Sequence, residues 1–463
     1  MSRGKDLIKN TGILFIAKTS TQVVSFFMLP LYTALMATEQ YGQLDIYGSL
    51  TMILLPLVTL QLEQAVFRFL VGQSEEQYIA KIISSAGATL LITFGIVGLL
   101  YAVVAIIWRF EYAVFLFFYY ASMLCSTVMY QVCRGFGQNA VYGFGTFLIS
   151  FTTVSLNIVF VAYFHMGVAG VLTSTAIAHT LGTCYMVLRT RVLHYFKVKA
   201  VSVDQIKELL AYSVPLIFNQ ISSWAINYSD RVIILAFLGI GTNGIYSVAN
   251  KFSNMLNTFF NVFNLAWTEN VVKNIKDPDA PQYAKEIITL TAQVYISLVA
   301  GIMNLLPFVF NYFVNIKYNE AYYHVPILLV AIVFSGLSAS LGSVYVAFKK
   351  TKNVGFTTFL AGVVNIVVHL LLIKRIGLYA ASISTLVSFT ALFVYRYIFI
   401  QGFFSVKLDF KKMVSIFAVL IISVLAYYVR NPIFLIIALF INLVDIAVIA
   451  KNNMDKLKRL LKK

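Results

Sequence analysis

One pattern occurs twice in this sequence, first as NIVFVAYFHMGVAGVLTSTAIAHTLGTCYMVLR at residues 157–189 and again as NIVVHLLLIKRIGLYAASISTLVSFTALFVYR at residues 365–396. Each copy opens with Asn-Ile-Val, reaches a glycine at a predicted turn ten to twelve residues later (Gly167 and Gly377), and closes with an apolar segment that is rich in small residues and ends in arginine. A repeat over this distance indicates a fold built from two related halves.

A second pair of segments supports the duplication. TEQYGQLDIYGSL at 38–50 is similar to GTNGIYSVANKF at 241–252, and both precede the longer pattern in their own half of the chain. Two similarities in the same order are harder to attribute to chance than one.

The composition is that of a membrane protein. Of 463 residues, 60% are hydrophobic and 11% are charged, whereas about 25% are charged in a typical soluble domain. Apolar runs of about 20 residues, each long enough to cross a bilayer as a helix, recur along the whole chain. We therefore predict an all-α polytopic membrane protein with about 14 transmembrane helices. The predicted spans are 12–36, 44–70, 82–107, 112–133, 141–164, 167–189, 208–237, 243–266, 285–312, 322–348, 354–373, 376–400, 412–429 and 432–450.

The spans group into two parallel repeats of six helices, because an even number of crossings returns the chain to the same side of the membrane. We predict an N-terminal lobe (1–190), a basic cytoplasmic linker (191–207), a C-terminal lobe (208–402), two extra helices (403–450) and a basic cytoplasmic tail (451–463). Two such lobes suit a central cavity and rocking between two faces of the membrane.

The net charge is +17, and the distribution of the basic residues along the chain is explained by membrane topology. With both termini cytoplasmic, most Lys and Arg residues outside the spans lie on the inner side, as the positive-inside rule requires. The exceptions are Arg109, Lys317, Lys374, Arg375 and Arg430. Nucleic-acid binding is therefore not needed to explain the charge.

Polar side chains form stripes on the first two spans of each repeat. Residues spaced alternately by four and three lie on one face of a helix, and span 243–266 has seven of them: Asn243, Ser247, Asn250, Asn254, Asn257, Asn261 and Asn264. Other stripes comprise Gln220, Ser223, Asn227 and Arg231; Lys18, Gln22 and Ser25; and Gln61, Gln64 and Arg68. Single polar residues are explained by interhelical hydrogen bonds, whereas a stripe across a whole span favours the wall of a water-filled cavity.

Four cations lie at membrane depth: Lys18, Arg68, Arg231 and Lys251. Glu63 and Asp230 are the obvious intramembrane counter-charges, so positive charge is in surplus. A surplus favours an anionic ligand, and arginine contacts phosphate oxygens in a bidentate manner. Alternatively, some of these charges form buried ion pairs that fix the bundle; for Glu63 and Asp230 a role in ion coupling and a role in ion pairs both stay open.

Three motifs resemble a known family. KNTGILFIAKTSTQVVSFFMLPLYTALMATEQYGQLDIYGSL at 9–50, LQLEQAVFRF at 60–69 and NYSDRVIILAFLGIGTNGIYSVANKF at 227–252 resemble polysaccharide or O-antigen flippases of the Wzx type, within the MOP superfamily that also holds the MATE transporters. The resemblance covers the first twelve spans. It implies alternating access through a cationic cavity, and translocation of an undecaprenyl-diphosphate-linked oligosaccharide from the inner to the outer leaflet for capsule, exopolysaccharide or O-antigen assembly.

The same resemblance sets expectations for partners and location. It implies an anionic lipid-linked oligosaccharide as substrate, contact with membrane lipids, and a polysaccharide polymerase and glycosyltransferases as neighbours in a bacterial plasma membrane. No cofactor or metal is expected, although H⁺ or Na⁺ is a candidate coupling ion.

Three alternatives remain. Lipid II-type peptidoglycan precursor flippases also have fourteen spans, and the extra pair here departs from the usual twelve. A cation-coupled multidrug antiporter of the same fold would want carboxylates in its cavity. A membrane-embedded glycan enzyme would need a long aqueous loop, which the sequence lacks, so we predict that the protein is not an enzyme.

Overall fold

The computed structural model describes residues 26–406 and 408–461, and all regular structure in those ranges is helical. A π-helical segment, Ile158–Tyr163, continues α6. The α-helices are α1 (Leu29–Leu35), α2 (Thr38–Thr59), α3 (Leu62–Leu70), α4 (Glu76–Trp108), α5 (Ala113–Gly135), α6 (Asn139–Asn157), α7 (Gly167–Thr190), α8 (Val203–Leu238), α9 (Ile240–Asn274), α10 (Ala280–Phe313), α11 (Ala321–Ala347), α12 (Thr351–Ile376), α13 (Tyr379–Ile400), α14 (Phe410–Val429) and α15 (Pro432–Leu461).

The predicted all-α polytopic class is confirmed. Within the described ranges, 10 helices are long and apolar enough to cross a membrane, or 11 if the bent pair α2–α3 is one span. Three predicted spans do not meet that test, each for its own reason. Span 12–36 lies largely outside the described residues, α9 carries the asparagine stripe, and the described apolar stretch of α14, Met413–Val429, is shorter than a full span.

The predicted span 44–70 is not one unbroken helix. Leu60 and Gln61 both take the left-handed conformation, with φ of 53° and 57°, and α2 and α3 meet at an angle of 62°. Pro56 lies one turn before the break and lacks an N–H for the helical ladder. The amide of Gln61 instead donates to the Pro56 carbonyl (3.2 Å) and the Thr59 hydroxyl (3.2 Å).

The duplicated pattern has the same geometry in both halves. Gly167 and Gly377 have positive φ values of 53° and 56°, which glycine adopts without the Cβ clash of other residues. Each starts a turn into a helix that packs against two earlier helices of its own half. Helix α7 packs against α5 and α6, and α13 packs against α11 and α12.

The chain forms two compact units, Met1–Trp224 and Ala225–Lys463. The predicted lobes and linker remain predictions. Residues of the predicted linker are held against α4, since the Ser84 hydroxyl accepts from the Lys197 amide at 2.8 Å and the Ser85 hydroxyl accepts from the Ser202 amide at 3.0 Å.

The two extra helices pack against α10 in the second unit. The Asn304 amide donates to Ser423 on α14 (3.0 Å), and the Asn442 amide on α15 donates to the Ser297 carbonyl (3.1 Å). In the absence of water, such polar contacts are a principal way for helices to recognise one another.

Candidate functional site

A polar pocket of about 230 Å³ lies within the second unit. It is formed by α8, α9, α11 and α13. Its lining residues are Ile226, Asn227, Tyr228, Asp230, Arg231, Tyr246, Asn250, Ser253, Asn254, Asn257, Leu328, Ile332, Thr385 and Phe389. Six of the residues predicted from sequence therefore meet in one place: Asn227, Asp230, Arg231, Asn250, Asn254 and Asn257.

Asp230 is bonded by side chains from several helices around this pocket. It is 2% exposed and receives hydrogen bonds from the Tyr246 hydroxyl (2.9 Å) and the Thr385 hydroxyl (3.0 Å) on Oδ2. The Nδ1 of buried His369 lies 3.1 Å from Oδ1. Three different helices, α9, α12 and α13, thus converge on one carboxylate. Such an arrangement can hold a proton or bind a cation.

Arg231 presents its guanidinium to the same pocket. The side chain is 3% exposed, and Nη1 donates to the Asn227 carbonyl one turn earlier, at 2.7 Å. Its Cζ lies 5.2 Å from the Tyr228 ring centroid and 5.6 Å from that of Tyr246. Contacts with aromatic faces orient the planar group and leave it suited to binding an anion.

The asparagine stripe of α9 divides into structural and open parts. Asn264 is buried, accepts from the Ser340 hydroxyl at 2.7 Å and donates to the Gly336 carbonyl at 3.4 Å. Asn243 is also buried. Asn254, in contrast, is exposed and lines the pocket. Whether an asparagine of the stripe makes an interhelical hydrogen bond or lines the pocket therefore depends on the helix packed against it, not on its spacing along α9.

The remaining predicted residues of the second unit lie outside the pocket. Lys251 is half-buried and Asn261 is exposed, and neither belongs to the lining. In the N-terminal part of the chain, Lys18 and Gln22 lie outside the described residues, so their predicted place in a cavity stays a prediction.

The polar cluster of the first unit lies at the break between α2 and α3. Gln61 is in the break itself and is buried, so it is not on a continuous helix face with Gln64 and Arg68 as predicted. Gln64 and Arg68, four residues apart on α3, do share a face. Arg68 is exposed, whereas Glu63 is 3% exposed and its Oε2 has no hydrogen-bond partner among the described residues.

Sequence reasoning missed His369 and Thr385 as partners of Asp230. They lie 139 and 155 residues away along the chain, so local spacing could not join them. One signal was present: a histidine inside an apolar span marks a candidate functional position, and His369 is four residues after Asn365, the first residue of the second repeat.

More than half of the chain matches the sequence model of a known protein family. The family model described as "Polysaccharide biosynthesis protein" matches residues 7–268, more than half of the chain. No curated protein sequence matches it.

Solved structures match at the level of fold. A lipid II flippase MurJ in an inward closed conformation is 15% identical, with a TM-score of 0.75 over 96% of this chain and 100% of that chain. An inward-facing multidrug resistance MATE transporter of the MOP superfamily is 13% identical, with a TM-score of 0.63 over 86% and 95%. A MOP superfamily transporter from Pyrococcus furiosus is 14% identical, with a TM-score of 0.55 over 86% and 96%.

Proposed function

Because this chain belongs to the family of polysaccharide biosynthesis proteins and has the fold of MOP superfamily transporters, we propose that it is a flippase for a lipid-linked oligosaccharide. The substrate we propose is an undecaprenyl-diphosphate-linked repeat unit, moved from the inner to the outer leaflet of a bacterial plasma membrane by alternating access. The product would serve capsule, exopolysaccharide or O-antigen assembly.

The observation that carries this proposal is the pairing of Arg231 with an asparagine-rich wall in one pocket. A guanidinium offers paired N–H donors to phosphate oxygens, and the amides of Asn250, Asn254 and Asn257 can donate to and accept from sugar hydroxyls. One pocket thus has donors for the phosphate oxygens and polar groups for the sugar hydroxyls of a sugar diphosphate. A cationic drug would instead favour an acidic wall, which disfavours the multidrug antiporter.

Arg68 is a second cation that we assign to substrate binding. Its side chain is exposed, and it has no ion pair or hydrogen bond with any described residue. A charge kept at membrane depth is expensive and marks a functional position. We propose that Arg68, together with Lys18, Arg231 and Lys251, contacts the diphosphate during transport.

The Asp230 cluster is our proposed coupling site. The carboxylate is bonded by Tyr246 on α9 and Thr385 on α13 and lies beside His369 on α12, and Tyr246 also lies 5.6 Å from the Arg231 guanidinium. One proton shared by Asp230 and His369 would change the net charge next to Arg231, and with it the attraction for an anion. Coupling to Na⁺ is the competing outcome, and Glu63 is a further candidate for the coupling group.

We further propose that both termini are cytoplasmic and that a polysaccharide polymerase and glycosyltransferases are neighbouring partners. A lipid II-type precursor is the second candidate substrate. It is favoured by the fold likeness to a lipid II flippase, which extends over nearly the whole chain and so includes the extra helices α14 and α15.

The test is the pool of lipid-linked oligosaccharide in cells that lack this protein. We expect a diphosphate-linked oligosaccharide to accumulate in the inner leaflet, and the wild-type gene to clear it. Arg68→Ala and Arg231→Ala should not clear it. Lys273→Ala is the matched control, because Lys273 is 66% exposed and its ion pair is with nearby Glu269 on α9. If no such lipid accumulates, the proposed substrate is wrong; accumulation of lipid II instead would identify the second candidate.

A further inference from the structure

An aspartate lies within one of the most apolar candidate spans of the described residues. Of the ten candidate spans, the Pro432–Asn452 part of α15 has the highest mean hydropathy, 2.8, yet it contains Asp445. At a rise of about 1.5 Å per residue, Asp445 is about 20 Å along the helix from Pro432, well inside a hydrocarbon core of about 30 Å. Membrane-embedded carboxylates are costly and are kept for a reason.

Asp445 faces a small polar cluster on α10. The Ser297 hydroxyl lies beside its carboxyl group, and Asn442, one turn earlier on α15, donates to the Ser297 carbonyl at 3.1 Å. Ser297 is 3% exposed and Asn442 is 1% exposed. Gly301 makes room for this approach, since a Cβ there would lie 3.1 Å from Asn442 Nδ2.

No cation neutralises this carboxyl group among the described side chains. The salt bridges found there are His369–Asp230 and Lys273–Glu269, and neither involves Asp445. The other described titratable side chains on α15 and on its neighbours α10 and α14 are Lys451, Tyr283, Lys285, Glu286, Tyr295, Tyr312, Tyr427 and Tyr428. The side chains of Lys411, Lys412 and the residues after 452 lie outside the described part of the chain. The Asp445 side chain is half-buried, with its Oδ2 atom covered by protein, and a carboxylate without a counter-charge in an apolar setting takes up a proton rather than remain ionised.

Three polar atoms of this cluster lack hydrogen-bond partners within the described part of the chain. Asp445 Oδ2, Asn442 Oδ1 and Ser297 Oγ are each buried without a hydrogen-bond partner among the described residues. An ionised carboxylate and an amide oxygen only accept, so the serine hydroxyl would be the only donor among these three unpartnered atoms. A proton on Asp445 supplies the missing donor.

We propose that Asp445, with Ser297 and Asn442, is an intramembrane proton-binding site at the contact between α10 and α15. The proton keeps the carboxyl group neutral and completes the interhelical hydrogen bonds. Release of the proton would leave a charge and an unfilled acceptor at this contact, so proton occupancy controls how firmly α15 is held. This site is separate from the Asp230 cluster.

A hydrophobic carbodiimide tests the proposal on the full-length protein. Such reagents enter membranes and react with protonated carboxyl groups: the acid gives its proton to a reagent nitrogen, and the carboxyl oxygen adds to the central carbon. We would digest the labelled protein and measure, by mass spectrometry, the label on the α15 peptide from mildly acidic to alkaline pH, with and without Na⁺.

The expected result is label on Asp445 at neutral pH that is lost as the pH rises and is unaffected by Na⁺. Asp445→Asn should abolish it, and a monodisperse elution profile would show that this variant is folded. Ser297→Ala, which removes the donor to the ionised form, should extend labelling to higher pH. Absence of label at acidic and neutral pH would overturn the proposal, as would protection by Na⁺, which would assign the site to a metal cation. An unchanged pH profile in Ser297→Ala would remove Ser297 from the site. None of these measurements depends on transport.

Discussion

Arg396 gives the sharpest quantitative prediction, because it ends the second copy of the repeated pattern just as Arg189 ends the first. The two arginines have different surroundings. Arg189 is exposed, whereas Arg396 is 4% exposed and is surrounded by acceptors from α11 and α12. Its Nε and Nη2 atoms donate to the Thr357 and Thr358 hydroxyls, each at 3.0 Å. Nη1 and Nη2 also donate to the carbonyls of Ser338 (2.9 Å) and Val354 (3.1 Å).

The perturbation is Arg396→Lys. A lysine keeps the positive charge and its desolvation, but an ammonium on a flexible stem cannot reach four acceptors that a planar guanidinium reaches together. We expect three of the four bonds to be lost. At about 0.6 kcal/mol for each interhelical bond in a membrane the loss is about 2 kcal/mol, and at about 1.5 kcal/mol for each bond to a charged group it is about 4.5 kcal/mol.

The assay is the free energy of unfolding of the purified protein in mixed micelles, titrated with a denaturing detergent and followed by circular dichroism. Arg189→Lys is the matched control and should change that free energy by no more than about 0.5 kcal/mol. If Arg396→Lys is as stable as wild type, Arg396 does not join α11, α12 and α13 as described. If both variants are equally destabilised, the difference in burial between the two ends of the repeat does not matter to stability.

Three further predictions concern the asparagine stripe, the coupling site and the turn at Gly377. Asn264→Leu removes the bond to Ser340 and should lower the free energy of unfolding by roughly 1 kcal/mol. Asn254→Leu should leave that free energy unchanged but reduce clearance of the lipid-linked pool. Equal effects of the two substitutions on stability would contradict the division of the stripe into a buried part and a pocket-lining part. Asp230→Asn should abolish the dependence of transport on a proton gradient, measured in vesicles with imposed pH differences, and an undiminished dependence would move coupling to another carboxylate. Gly377→Ala should lower the thermal midpoint by an amount equivalent to about 1 kcal/mol, because alanine is strained at a φ of 56° even though nothing lies within 4 Å of the added Cβ; an unchanged midpoint would show that the turn tolerates side chains.

The features that follow local rules could be predicted from the sequence. Apolar length located most of the spanning helices, and the glycines of the repeated pattern predicted two turns that the structure confirms at Gly167 and Gly377. The break at Leu60–Gln61 could not be predicted in the same way, because two non-glycine residues there hold a left-handed conformation that sterics disfavour. Only their surroundings, with Pro56 one turn earlier, stabilise it.

The site was predictable in residue type but not in arrangement. Spacing placed Asn254 and Asn264 on one face, but a neighbouring helix covers Asn264 and leaves Asn254 open to the pocket. Asp230 was singled out as a charge in a span, while its partner His369 comes from a distant segment. Asp445 was passed over because it is a single charge in a strongly apolar run, and its relevance appears only in its contact with α10.

The most direct test of the central claim is transport by the purified protein alone. The protein would be reconstituted into liposomes with a fluorescent undecaprenyl-diphosphate-linked oligosaccharide, and the fraction of label accessible from outside would be followed over time. We predict faster exchange between leaflets with wild-type protein than with Arg231→Ala or empty liposomes. Exchange no faster than in empty liposomes, with or without an imposed proton or Na⁺ gradient, would contradict the claim that this protein is a lipid-linked oligosaccharide flippase.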